Sequence, residues 1–258
     1  MKITIAGAAG RMGQMLIREI SRTEDASLAA ALEGSGSNAL GTEAAKGVKI
    51  VSDAAAAIGA GNCIIDFTVP AATVAHAKIA AEKGVAMVIG TTGLDPEQTK
   101  IVHECAKKVP ILWAANMSLG VNILLALVEK TASMLDPAYD IEVLEMHHRH
   151  KIDAPSGTAL ALGRAAAAGR KVPLEKVWRK SRDGHTGARP AGEIGFATLR
   201  GGEEVGVHTV MFAAAGERLE LSHRSFSRET YASGAVRAAL WLEGKKPGLY
   251  GMKDVLGL

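Results

Sequence analysis

Ile3-Thr4-Ile5-Ala6-Gly7-Ala8-Ala9-Gly10-Arg11-Met12-Gly13 is the stretch that decides the fold. Ile3 to Ala6 reads as a short buried strand, the turn carries a glycine at every third position, and Gln14 to Arg22 continues as a helical run. Strand, glycine turn and helix in that order bring the unpartnered amides and positive dipole end of a helix start to the end of a strand. A pyrophosphate binds there if no side chain blocks its approach. The spacing is G-x-x-G-x-x-G rather than the stricter G-x-G-x-x-G, so the context has to decide. Leu28 to Leu32 makes a second apolar strand ending at Glu33, twenty residues after Gly13, where a dinucleotide fold places the acid that binds ribose hydroxyls. Without a ligand, Gly7, Gly10 and Gly13 would serve tight strand–helix packing and Glu33 would be a solvated strand end.

Working outward, Cys63 to Phe67 and Ala86 to Gly90 read as further strands, with helical stretches Ala71 to Lys83 and Asp95 to Lys108. This alternation is a βαβ signature. Asp66-Phe67-Thr68 and Gly90-Thr91-Thr92-Gly93 follow strand C-termini, where open parallel sheets bind ligands, although the threonines also suit ordinary turns. A further strand, Ile111 to Ala114, ends at Ala115-Asn116-Met117-Ser118. From Leu119 the apolar residues Val121, Leu124, Leu125, Val128, Ala132 and Leu135 recur at helical spacing, with Ser118 available as a cap.

The second half has a different texture. Ile141 to Met146, Gly195 to Leu199, Val205 to Ala213 and Arg218 to Ser222 are rich in β-branched and alternating residues, with a hairpin turn at Ala214 to Glu217. Trp178 to Gly195, with Arg179, Lys180, Arg182, His185 and Arg189, reads as a long polar loop, either functional or a solvated basic surface. Tyr231 to Leu242 is helical again and is expected to pack back on the first domain. The predicted class is therefore α/β: a Rossmann-type parallel-sheet dinucleotide domain over residues 1–117, completed by 228–258, plus an α+β domain with a mixed sheet over 118–227.

Composition narrows the function classes. The chain has 258 residues, 48% hydrophobic but only 4% aromatic, which indicates a core of Ala, Val, Ile and Leu, as in helix-covered parallel sheets. Thirty basic residues against 27 acidic ones give a net charge of +3, a near balance that argues against nucleic acid as the main partner. Cys63 and Cys105 form no disulfide framework and have no metal-ligand spacing; they read as buried thiols of a protein in a reducing cytoplasm. The opening strand leaves no room for a signal or transit peptide, and no run of about 18 apolar residues suggests a membrane span.

Chemistry concentrates in His147-His148-Arg149-His150-Lys151-Ile152-Asp153-Ala154-Pro155-Ser156-Gly157-Thr158. The run follows the strand Ile141 to Met146, so His147 and His148 point to opposite faces and are expected to do different jobs. Ser156-Gly157-Thr158 opens the helical run Ala159 to Ala168, and a helix start favours a carboxylate or phosphate. A metal centre at His147, His148 and His150 is disfavoured, because the first two diverge and Arg149 and Lys151 repel a cation. Acid–base work on a dicarboxylate fits better: a histidine and a lysine handle a proton while the helix start holds carboxylate. A purely structural cluster would leave too many like charges without an anion.

Together these residues resemble the 4-hydroxy-tetrahydrodipicolinate reductase (dihydrodipicolinate reductase) family. The similarity runs through Gly7 to Gly13, Gly90-Thr91-Thr92-Gly93, Ala114-Ala115-Asn116, the specific run Glu145 to Thr158, and Gly206-Val207-His208-Thr209. It implies reduction by NADH or NADPH of a small cyclic imine dicarboxylate in lysine and diaminopimelate biosynthesis. Hydride goes to ring C4 with loss of the 4-hydroxyl as water, and a proton goes to the adjacent carbon. It further implies His147 as proton donor or acceptor and Lys151 as proton donor, with His148, Ser156, Gly157 and Thr158 contacting substrate. Cofactor contacts would fall on Gly7, Ala8, Ala9, Gly10, Arg11, Met12, Glu33, Gly90, Thr91, Thr92, Ala114, Ala115, Asn116 and Met117. A homotetramer built through the second domain's sheet is implied too, with hinges near Asn116-Met117 and Ser227-Arg228.

Two departures from the family pattern stand out. Gly34 replaces an arginine many relatives carry after the acid, which removes one cation for a 2′-phosphate and leaves Arg11 as a partial substitute; Glu33 beside Gly34-Ser35-Gly36 is expected to suit a 2′-hydroxyl and NADH to be used at least as well as NADPH. Met117 stands where many relatives have Phe. Rival readings are another two-domain nicotinamide-dependent reductase of an acidic substrate, or a non-catalytic dinucleotide-sensing protein.

Overall fold

β1 (Lys2–Ala6) is buried at every residue except its first, as the core strand of a sheet covered on both faces must be. The computed structural model describes all residues from Met1 to Leu258. Two units emerge, one made of Met1–Leu119 with Glu229–Leu258, the other of Gly120–Arg228. No helix is long and apolar enough to cross a membrane.

In the first unit, α1 (Arg11–Arg22) follows β1, then come β2 (Ser27–Leu32), β3 (Glu43–Ala45), β4 (Val48–Val51), α2 (Ala54–Gly59), β5 (Cys63–Asp66), α3 (Pro70–Lys83), β6 (Ala86–Ile89), α4 (Pro96–Ala106) and β7 (Pro110–Trp113). β5 and β6 are buried throughout, matching their apolar composition up to Asp66 at the end of β5. α4 starts on a capping box, Asp95 accepting from the Gln98 amide at 2.8 Å while the Gln98 side chain accepts from the Asp95 amide at 3.0 Å. α3 ends at Gly84 in the left-handed region, φ +70°.

The second unit contains α5 (Leu119–Met134), β8 (Asp140–His147), α6 (Gly157–Gly169), α7 (Leu174–Val177), β9 (Trp178–Arg179), β10 (Ile194–Arg200), β11 (Gly206–Ala213) and β12 (Arg218–Ser225). Its sheet runs β12-β11-β8-β10-β9 and is mixed: β8, β10 and β9 are parallel, while β11 is antiparallel to both β8 and β12. Burial alternates along β8 and β11, so one face takes the core and the other stays partly open. The inner row of β8 is Ile141, Val143, Glu145, His147. Its first two members pack with Leu124, Val128, Leu162, Phe196 and Phe212, and its last two are polar residues buried beyond that core.

The chain then returns to the first unit with α8 (Glu229–Trp241), β13 (Gly248–Tyr250) and α9 (Met252–Leu256). α8 packs against α1, β5 and β6, and a side chain at Gly234 would overlap the Met117 carbonyl. The completed sheet is β13-β7-β6-β5-β1-β2-β4-β3, parallel except for the β3–β4 pair.

Differences from the sequence reading are local. α1 begins at Arg11, not Gln14, making Gly10 its cap. The short elements β3, β4, α2, α7, β9, β13 and α9 went unpredicted. The arginines of the long loop are tied down: Arg182 grips Glu142 at 2.8 and 2.9 Å and Glu193 at 2.5 Å, and Arg189 meets Asp140 at 2.5 Å and Glu142 at 3.0 Å. Both cysteines are buried, and burial pushes the Cys63 thiol up to about 12.

Candidate active site

At the C-terminal end of the first sheet, a cavity of about 680 Å³ is lined by Gly7, Ala9, Gly10, Glu33, Gly34, Ser35, Ser37, Phe67, Thr68 and His76, among others. That volume lies within the range of small-ligand sites. The glycines have separable reasons. Gly7 takes φ +76°, and a Cβ on Gly13 would lie 2.1 Å from the Gly7 carbonyl oxygen, so Gly13 serves helix–turn packing. Gly10 caps α1 with no side-chain hydrogen bond, which leaves the helix start to a ligand. Glu33 turns toward this start: its carboxylate accepts from the Ala9 amide at 2.9 Å and from the Gly34 amide at 3.1 Å. Two carboxylate oxygens retain capacity for hydroxyl donors. Arg11 is exposed, Met12 half-buried and Ala8 buried.

A second group of predicted residues surrounds Asp66. Asp66, fully buried, accepts from the Thr68 amide (3.0 Å) and from the hydroxyls of Thr68 (2.6 Å), Thr73 (3.0 Å) and Thr91 (3.1 Å), and meets His76 Nδ1 at 2.6 Å. The Thr91 hydroxyl thus faces inward to this network. Gly90 is required by Phe67, whose ring lies 2.1 Å from where a Cβ would be. Trp113 Nε1 donates to the Thr91 carbonyl at 3.2 Å, and the Ala114 amide to the Ile89 carbonyl at 3.1 Å, which fixes the loops after β6 and β7 together. Asn116 accepts from the Ser118 amide at 2.9 Å, and Met117 is buried. His76 was not singled out in the sequence, being one histidine on an alanine-rich helix.

The basic run lies in the second unit. His147, 8% exposed, ends the inner row of β8 and meets Glu145 Oε2 through Nδ1 at 2.5 Å. Glu145 also accepts from Arg200 at 2.9 Å on each oxygen and from the Ser156 amide at 3.1 Å. Burial would raise this carboxyl, but the hydrogen bonds from His147, Arg200 and the Ser156 amide bring it down to about 2. Ser156 caps α6: its Oγ accepts from the Ala159 amide at 3.2 Å and meets His208 Nε2 at 3.2 Å. Burial, with His147 beside it, lowers His208 to about 4, so it is neutral at pH 7.

Gly157 opens the helix, with no atom within 4 Å of where a Cβ would stand, and Thr158 follows half-buried. Lys151 Nζ lies 2.7 Å from Asp153 Oδ1. His148, just past the end of β8, has its Nε2 3.3 Å from Arg228, and burial followed by the Arg228 charge lowers its pKa. The structure therefore gathers His147, Ser156 and the α6 start around Glu145. Glu145 was absent from the sequence-based candidates, because one glutamate in an alternating strand reads as a surface residue.

Two family models match, "Dihydrodipicolinate reductase, N-terminus" over residues 1–117 and "Dihydrodipicolinate reductase, C-terminus" over 120–256. Proteins named 4-hydroxy-tetrahydrodipicolinate reductase are similar along the whole chain: that of Afipia carboxidovorans is 51% identical, covering 100% of this chain and 97% of its own. That of Cupriavidus metallidurans is also 51% identical, covering 100% of both. Among solved structures, a dipicolinate-bound dihydrodipicolinate reductase from Paenisporosarcina sp. TG-14 shares the fold, with TM-score 0.81 at 24% identity and 98% of each chain covered.

Proposed function

The chain belongs to the dihydrodipicolinate reductase family, and on that premise we propose how its own residues reduce 4-hydroxy-tetrahydrodipicolinate with NADH or NADPH in lysine and diaminopimelate biosynthesis. The observation that carries the reading is one end of β8, where a histidine backed by a buried carboxylate adjoins the start of a thirteen-residue helix. The nicotinamide supplies the hydride that goes to ring C4.

His147 takes or gives a proton at Nε2, the ring nitrogen turned away from Glu145. Lys151 delivers a proton from Nζ to the ring carbon next to C4, replacing the proton that carbon loses when the 4-hydroxyl leaves as water. Gly157 and Thr158 present the positive end of α6 to a substrate carboxylate, and His148 adds polar contact. Ser156 acts mainly as the cap that fixes this helix start, since its hydroxyl is engaged by the Ala159 amide and His208.

On the cofactor side the residues fit a dinucleotide: the uncapped α1 start, from Gly7 through Met12, takes pyrophosphate, and Glu33 accepts from ribose hydroxyls. Gly90, Thr91 and Thr92, with Ala114 through Met117, form the loops after β6 and β7 that complete the cofactor surface. The partly open face of the second sheet carries Leu144, Met146, Leu199 and Met211, an apolar surface suited to assembling a homotetramer.

The test is an assay of the imine formed from pyruvate and aspartate semialdehyde. The wild type is expected to turn over with either cofactor, and His147→Gln and Lys151→Ala each to lose about 100-fold or more in kcat. Unchanged turnover in the double variant would remove these residues from the chemistry.

A further inference from the structure

Glu145 is 1% exposed, yet its partners are polar groups of the site rather than apolar side chains of the core. Oε2 meets His147 Nδ1 at 2.5 Å and Oε1 accepts the Ser156 amide at 3.1 Å, while Arg200 bridges both oxygens at 2.9 Å. Arg200 also donates to the Asp153 carbonyl at 2.6 Å, and Asp153 holds Lys151 Nζ at 2.7 Å. One buried carboxylate is thereby connected to the histidine, the helix start and the lysine loop.

We propose that Glu145 is the positioning residue of this site, holding His147 as the Nδ1–H tautomer so that Nε2 is the atom that exchanges a proton with substrate. This role rests on the assignment of proton transfer to His147 above. An ionised carboxylate only accepts hydrogen bonds, so the proton in the short contact belongs to Nδ1 and Nε2 is left as the exchanging nitrogen. The same charge stabilises the imidazolium when Nε2 is protonated. Gly206 keeps that nitrogen approachable, since a Cβ there would sit 3.1 Å from His147 Nε2.

The charged and titratable groups facing His147 from neighbouring elements are consistent with this division of labour. Arg200 on β10 is spent on Glu145 and the Asp153 carbonyl. His208 on β11, with its ring 5.0 Å from that of His147, is neutral at pH 7. Glu145 is thus the group that both orients His147 and bears an opposite charge against it. A residue that merely paired with Arg200 would have no need of the Nδ1 contact.

The experiment compares the wild type with Glu145→Gln. The glutamine oxygen still accepts from Arg200 and the Ser156 amide, while its amide group donates to Nδ1 and forces the proton to Nε2. Nitrogen-15 NMR of the His147 ring in the unliganded protein is expected to show Nδ1–H in the wild type and Nε2–H in the variant. In the assay, kcat is expected to fall about 100-fold with KM for the imine little changed. Should E145Q fail to fold, Glu145→Asp keeps the charge opposite Arg200 and withdraws it from Nδ1, and the same loss of kcat at unchanged KM is expected.

An Nε2–H wild type, or an E145Q protein with the wild-type tautomer and kcat within about threefold, overturns the positioning role. Full turnover in His147→Gln instead overturns the proton-transfer reading on which it rests; the tautomer measurement needs no turnover, so the two failures are distinguishable.

Discussion

At the scale of single residues, cofactor choice turns on position 34. Glu33 sits beside the glycine turn with its carboxylate toward the Ala9 amide, and the cavity around it is lined by serines, glycines and His76 with no lysine or arginine. A 2′-phosphate placed there would face the Glu33 carboxylate with no cation at position 34, leaving only Arg11 at the start of α1 to offset it, whereas a 2′-hydroxyl would find an acceptor. NADH is therefore expected to support kcat/KM at least equal to that with NADPH. A side chain at Gly34 has open space, with nothing within 4 Å of its Cβ position. Gly34→Arg is accordingly expected to raise kcat/KM for NADPH by about tenfold, an ordinary charge-assisted contact of roughly 1.4 kcal/mol. A strong wild-type preference for NADPH in side-by-side kinetics would refute the argument.

Elements show why some of this was legible in the sequence and some was not. β1, β5 and β6 announce themselves as short, mainly apolar strands, and α4 by its capping residues, because burial on both faces and capping leave direct marks on composition. β3, β9 and β13 have two or three residues each, too few for any periodicity, and only pairing with a neighbour makes them strands. The α6 start was readable from Ser156-Gly157-Thr158, but what holds it was not. Glu145 and His208 reach Ser156 from β8 and β11, contacts separated by 11 and 52 residues along the chain. Similarly, Gly90 carries the mark of a ligand loop in the sequence, and in the fold its missing side chain makes room for Phe67. Ser156→Ala should expose the worth of the α6 cap: it removes the bond to the Ala159 amide and leaves His208 Nε2 buried without a partner. A loss of about 2 kcal/mol is expected in denaturant titration, the sum of a cap and a stranded polar atom, with the slope m unchanged. A loss below about 0.5 kcal/mol would mean that the helix start is held from elsewhere.

For the whole molecule, the same polar cluster couples stability to pH. His208 is held neutral by burial and the neighbouring His147, with its pKa lowered from 6.5 to about 4. The unfolded chain therefore binds more protons than the native one between those values. Stability contributed by the neutral form is present above pH 6.5 and is lost as pH falls toward 4, at no more than about 1.4 kcal/mol per pH unit and roughly 3 kcal/mol in all. Glu145 extends the loss downward. Its carboxyl is lowered from 4.5 to about 2, so the stability of its bonds to His147, Arg200 and Ser156 is present above pH 4.5 and disappears between 4.5 and 2. The two windows abut, and acid should weaken the protein continuously from near neutrality instead of in one late step. His208→Gln separates them, since a neutral amide still accepts the Ser156 hydroxyl but has no proton to bind. Thermal midpoints measured from pH 8 to pH 4 are expected to decline below pH 6.5 in the wild type, and in the variant to decline less steeply down to about pH 4.5, where His148 and His223, also lowered by burial, still take up protons on unfolding. Parallel curves for the two proteins across 6.5 to 4.5 would show that His208 does not couple folding to protons.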